Sequence, residues 1–135
     1  MRILTIVGAR PNFVKVAPLI EEMSRRPNIE TTLVHTGQHY DYEMSRVFFE
    51  ELGIPEPDIN LEVGSGIAVK QAAEIMPRLQ RVMEEAQPDV VVVVGDVSST
   101  PAGALTAAKT GRPIAHVEAR LRSFDRTMPE VVNRF

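Results

Sequence analysis

The 135-residue chain has no cysteine and no tryptophan, and its aromatic side chains number only two Tyr and five Phe. Without thiols there are no disulfides, no thiolate metal ligands and no cysteine nucleophile, and a reducing compartment, the cytoplasm, is the expected setting. Long apolar runs are missing too. After Met1 and Arg2 the stretch Ile3 to Val7 stops at Gly8, short of the roughly 7–15 apolar residues of a signal peptide, and nothing approaches the ~18 of a membrane span. Cations are the minority charge: 15 Lys and Arg against 18 Asp and Glu leave a formal net charge of -3. Binding nucleic acid calls for clustered cations against phosphate. Neither nucleic acid nor a membrane is expected as a partner.

What is present is the composition of an ordinary globular domain, 44% hydrophobic and 24% charged. Three short Val- and Ile-rich runs, Ile3 to Val7, Asp89 to Val94 and Pro113 to Val117, read as strands buried on both faces. A fourth, Thr31 to Thr36, is more polar and is expected nearer an edge. Helical patterns separate them at Val14 to Arg25, Tyr42 to Leu52, about Ala68 to Ala86, and Thr100 to Thr110. In the third of these, Ala72, Ile75, Met76, Leu79, Val82, Met83 and Ala86 form one apolar stripe. Pro77 interrupts it, which predicts a kink or two shorter helices. Gly53 to Gly66 reads as a loop with an extended piece at Ile59 to Glu62. Strand and helix alternate throughout, so the expected fold is α/β, a doubly wound parallel sheet with ligands outside the carboxyl ends of its strands.

The loops following the strands therefore hold the candidates. Gly8-Ala9-Arg10-Pro11-Asn12-Phe13 leads into a helix carrying Lys15, and a helix N-terminus flanked by Arg10 and Lys15 suits an anion. The loop lacks the glycines of the dinucleotide fingerprint and is not a Walker A loop; a solvated Arg and Lys at a plain turn explain it equally well. Thr36-Gly37-Gln38-His39-Tyr40-Asp41 concentrates hydrogen-bonding groups, with Gln38 and His39 as candidate ligand contacts and Asp41 equally a helix cap. Asp96 follows the most hydrophobic strand, where desolvation suits a carboxyl to proton transfer. Capping by Asp96, Ser98 or Ser99 is the alternative there. Glu118 leaves the next strand in the same way, so two carboxylates are expected on one rim, although a salt-bridged surface has the same composition.

Taken together these loops resemble the non-hydrolysing UDP-N-acetylglucosamine 2-epimerases. The resemblance is carried by Gly8-Ala9-Arg10-Pro11 with Lys15 and Ala17-Pro18-Leu19, by Thr36-Gly37-Gln38-His39, and by Gly95-Asp96 with Ser99-Thr100. It continues in His116-Val117-Glu118-Ala119 with Leu121-Arg122, and in Pro129-Glu130 with Asn133-Arg134. It implies residues 1–135 as the N-terminal Rossmann-like domain of a GT-B-type two-domain enzyme whose C-terminal, UDP-binding domain is absent. The implied reaction inverts C2 of UDP-N-acetylglucosamine, giving UDP-N-acetylmannosamine through elimination and re-addition of UDP. Asp96, Glu118 and Glu130 match the catalytic carboxylates. Arg10, Lys15, Gln38, His39, Arg122 and Arg134 match substrate-binding positions. No cofactor or metal is implied.

Departures from the family pattern include Arg120 in place of glycine, Val131 in place of an acid, Pro101 in place of Leu, and Ile67-Ala68 in place of a polar pair. With one cleft wall only, the chain is expected to be inactive alone and to pair as a homodimer through the face a second domain would cover. Two other readings stay open: a folded, self-associating domain or binding module without turnover, and half of a GT-B glycosyltransferase.

Overall fold

The run of five valines at 90–94 shows how the sheet is covered. Val91 and Val93 point into one apolar core, Val92 and Val94 into another on the opposite face. A strand whose alternate residues are both buried must be sandwiched between helical layers. The computed structural model describes residues 1–37, 49–51, 53, 55–119, 123–124 and 127, and its elements are β1 (Arg2–Val7), α1 (Arg10–Ser24), β2 (Glu30–His35), β3 (Ile59–Asn60), α2 (Ala68–Ala86), β4 (Val90–Val94), α3 (Ser99–Lys109) and β5 (Ile114–Val117). Of the helix expected at Tyr42 to Leu52, residues 49–51 are helical and the remainder lies outside the described residues.

The sheet is parallel throughout, in the order β3-β2-β1-β4-β5. This is the Rossmann order, in which the chain winds outward from β1 in one direction and from β4 in the other, opening a crevice between them. On one face α1 sets Phe13, Val16, Ile20 and Met23 against Ile3, Val7, Leu33, Val92 and Val94, with Phe49 alongside. On the other, Ile75, Leu79, Val82 and Met83 of α2 and Ala102 and Ala107 of α3 cover Leu4, Ile6, Val34, Val91 and Val93. Burying each large aliphatic side chain stabilises the fold by about 1.5–3 kcal/mol. Among the described residues no helix is long and apolar enough to cross a membrane.

Several local expectations change. α1 begins at Arg10, four residues before the expected start, because Pro11 falls in the first turn, where a missing N–H costs no helical bond. α2 is one helix through Pro77 rather than two. Its buried stripe continues on both sides of the proline, and that packing outweighs one lost bond. Pro101, which departs from the family pattern, sits in the first turn of α3 and likewise forfeits nothing. The polar start of β2 is explained by β3, which pairs only with Val34 and His35, so that residues 30–32 pair with β1 on one side and with no described strand on the other. β5 was expected to be buried on both faces, yet Ile114 and Ala115 are exposed. No described strand pairs on its outer side.

Candidate functional site

Two strand exits and the start of α1 converge at the crevice. Val94 and Val117 are partners in the β4–β5 register, and the Gly95 N–H donates to the Val117 carbonyl at 3.0 Å. The chain therefore leaves both strands side by side, with Asp96 following one and Glu118 the other. Gly95 has φ +64°, a left-handed conformation that glycine adopts without strain. Glu118 has φ +66°, which a residue with a Cβ adopts only at a cost of about 1–3 kcal/mol. This turn directs its carboxylate to Lys15 Nζ on α1, with which it forms an ion pair. Both side chains are about one-third exposed, at 32% and 31%.

Gly95 is the floor beneath that pair. A Cβ there would lie 3.5 Å from Lys15 Nζ and 3.8 Å from Glu118 Oε2. Its carbonyl is held by His116 Nε2 at 2.8 Å, so β5 grips both polar groups of the residue before Asp96. Asp96 itself is partly buried and has no hydrogen-bond or ion-pair partner among the described residues. Ser98, the N-cap of α3, makes no side-chain capping bond, so helix capping does not occupy this turn.

The first loop differs from the anion cradle its composition suggests. Asn12 Oδ1 accepts the Gly8 and Ala9 N–H groups at 3.0 and 3.2 Å, and the Asn12 N–H bonds to the Ala9 carbonyl at 2.9 Å. Pro11 has no N–H to offer. The N–H groups of Gly8, Ala9 and Asn12 are thus committed within the loop. An anion here must be met mainly by the side chains of Arg10, which is exposed, and Lys15.

Beside this charged cluster, on the α2 and α3 side of the sheet, lies a cavity of about 280 Å³. Gly8 and Ala9 border both places. Its lining includes Thr36, Ser65, Gln71, Ile75 and Ser99. Gly8 is required there, since a Cβ would fall 2.8 Å from Ser99 Cβ and 3.0 Å from Thr36 Oγ1. The titratable groups and the cavity are thus adjacent rather than coincident.

Of the sequence candidates, Lys15 and Glu118 meet directly, Asp96 stands on the same rim, and Arg10 opens the neighbouring helix. Gln38, His39, Arg122, Glu130 and Arg134 lie outside the described residues, as do Arg120 and Val131. Asn12 and His116 carry no role of their own in the sequence pattern. Asparagine three residues after a loop alanine is a recognisable half of a capping box, whereas nothing local marks His116 as a clamp on Gly95. Among the described residues no cluster of three His, Asp or Glu side chains is arranged to hold a metal.

The family model described as UDP-N-acetylglucosamine 2-epimerase matches residues 21–135. A UDP-N-acetylglucosamine 2-epimerase homolog of Methanococcus maripaludis is 52% identical over 134 residues, covering 99% of this chain and 37% of its own. A UDP-2,3-diacetamido-2,3-dideoxy-D-glucuronate 2-epimerase of Pseudomonas aeruginosa is 45% identical, covering 99% of this chain and 38% of its own. The crystal structure of Methanocaldococcus jannaschii UDP-GlcNAc 2-epimerase in complex with UDP-GlcNAc and UDP superposes with a TM-score of 0.91 at 45% identity, covering 99% of this chain and 37% of that one. The chain thus spans little more than a third of the length of these relatives, matching their N-terminal part, and has the Rossmann-like architecture of that part of their GT-B fold.

Proposed function

Because the chain belongs to the UDP-N-acetylglucosamine 2-epimerase family, we propose that it forms the wall of a nucleotide-sugar site at which C2 of a UDP-2-acetamido sugar is inverted. The observation that carries this reading is the convergence of Lys15, Glu118 and the Gly95-Asp96 turn at the crevice between β1 and β4. A carboxylate takes the C2 proton as the C1–O bond breaks and UDP leaves with the bonding pair, giving a 2-acetamidoglucal. UDP then adds back at C1 as a proton returns to C2 on the opposite face. Asp96, Glu118 and Glu130 are proposed for these proton transfers. Arg10 and Lys15 meet the diphosphate, and Gln38, His39, Arg122 and Arg134 hold the remainder of the substrate. The reaction draws on no cofactor or metal and is assigned to the cytoplasm.

The 135 residues alone offer one side of a cleft, so neither water exclusion nor a pre-organised transition-state environment is complete. We therefore expect binding without turnover from this chain by itself. Ile67 and Val69, apolar yet 77% and 79% exposed, support a homodimer through the face that a second domain covers in the GT-B plan. A strictly monomeric mass across a broad concentration range removes that part of the proposal.

Titration of UDP and UDP-N-acetylglucosamine into the purified chain, followed by amide NMR, tests the site. Saturable shifts in residues 8–15 and at Asp96 are expected, and no binding at millimolar ligand sinks the reading. A preference for UDP-2,3-diacetamido-2,3-dideoxy-D-glucuronate would move the substrate assignment to that of the Pseudomonas relative.

A further inference from the structure

We propose that Asn12 is a positioning residue, one whose side-chain amide ties the loop bearing Arg10 and Lys15 to the turn bearing Asp96. The inference rests on the functional reading above and adds to it a residue with no assigned role. Asn12 is 1% exposed, deep for an amide, and its two ends bond to different segments. Oδ1 accepts the Gly8 and Ala9 N–H groups, where the chain leaves β1. Nδ2 donates to the carbonyl of Val94, the last residue of β4, at 3.4 Å. The amide thus spans the crevice at the point where the sheet order reverses.

Its neighbours show what the tie holds. The Val94 carbonyl also accepts Thr100 Oγ1 at 2.8 Å, so the end of β4 is held from α1 and α3 together. A Cβ on Gly95 would lie 3.4 Å from Asn12 Nδ2 and 3.5 Å from Lys15 Nζ. The amide therefore abuts the strip of backbone over which Lys15 and Glu118 pair, one residue before Asp96. Reacting groups drawn from separate loops must be held in mutual register, and small misplacements are costly to their chemistry.

Helix capping alone does not account for Asn12. Capping uses only the acceptor Oδ1, and a carboxylate at a helix N-terminus performs it at least as well. Donation to Val94 is what the amide adds. Asn12→Asp keeps the acceptor and sets a carboxylate oxygen against the Val94 carbonyl, so the two roles separate in one nearly isosteric variant. Asn12→Ser, whose shorter side chain keeps a capping oxygen but carries no amide donor to reach the Val94 carbonyl, serves should the aspartate variant not fold. Val82→Ala, on the buried face of α2, provides a variant of reduced stability with both loops intact.

The experiment is amide NMR of the 135-residue chain and these variants during UDP titration, with amide hydrogen exchange measured before ligand is added. In the native chain UDP is expected to shift both residues 8–15 and Gly95-Asp96. Asn12→Asp is expected to bind UDP roughly tenfold more weakly and to lose the Gly95-Asp96 signature. Val82→Ala should bind as the native chain does, which a merely structural role for Asn12 does not predict. An aspartate variant with native affinity and native shifts at Gly95 and Asp96 overturns the proposal and leaves Asn12 a helix cap. If the native chain binds no UDP, the functional reading fails while the tie is still read from exchange at Gly95. Faster exchange there in Asn12→Asp than in Val82→Ala upholds it, and equal exchange refutes it.

Discussion

Lys15 and Glu118 form an ion pair over the backbone of Gly95, one from the second turn of α1 and the other from a left-handed residue just past β5. The pair joins the group best placed to meet a diphosphate to a carboxylate proposed for proton transfer. On the proposed function, a ligand phosphate would compete with Glu118 for the same ammonium. With both side chains about a third exposed, solvent screens the attraction and its contribution to stability is small.

Glu118→Gln should accordingly lower folding stability by no more than about 1 kcal/mol, as checked by urea denaturation. The same substitution releases Lys15, so UDP should bind up to about fivefold more tightly at low ionic strength, with the gain shrinking as salt is added. Weaker UDP binding in this variant would show that Glu118 orients Lys15 for the ligand rather than competing with it.

Gly95→Ala places a Cβ at φ +64° and should cost about 1–2 kcal/mol of stability from backbone strain, read as a lower urea midpoint with an unchanged slope. Contacts at 3.4 and 3.5 Å to Asn12 and Lys15 are tolerable, so the variant should fold. An unchanged midpoint would mean that this turn accepts another conformation at no cost.

Gly103 lets α3 approach the sheet. A Cβ there would lie 2.8 Å from Ile6 Cδ1 and 3.1 Å from Val93 Cγ1. Ile6 ends in a flexible methyl, whereas Val93 is confined within the central strand. Gly103→Val should therefore destabilise the fold by about 1–3 kcal/mol through overpacking, visible as a lower melting temperature. A native-like melting temperature would mean that α3 can shift without loss.

Pro77 is exposed in the interior of α2 and withholds the N–H that would bond to the Ala73 carbonyl. Pro77→Ala restores that bond and should raise stability by about 1 kcal/mol or more, less whatever the greater freedom of the unfolded chain takes back. Equal or reduced thermal stability would count against a plain helical cost.

Much of this architecture follows from short-range pattern. The valines of β4, flanked by amphipathic helices, require a strand covered on both faces, and the polar loops after each strand point to the carboxyl edge. Arg10, Lys15, Asp96 and Glu118 are nameable from their places after strands and from the family resemblance. Local pattern also misled: Pro77 read as a break, yet it is carried by a buried stripe, and the helix expected from Val14 already starts at Arg10 with Pro11 where no bond is lost. The isolated run Pro113 to Val117 does not reveal that its outer side lacks a described neighbour.

Sequence by itself determined the α/β class, the alternation of elements and the edge of the sheet at which to look, because side-chain period and turn chemistry act over a few residues. Only the tertiary structure decided which candidates touch. Lys15 meets Glu118, His116 clamps Gly95 and Asn12 reaches Val94 because hydrogen-bonded register sets β4 between β1 and β5. That order is fixed by burying both sheet faces at once, a property of the whole chain that no single segment contains.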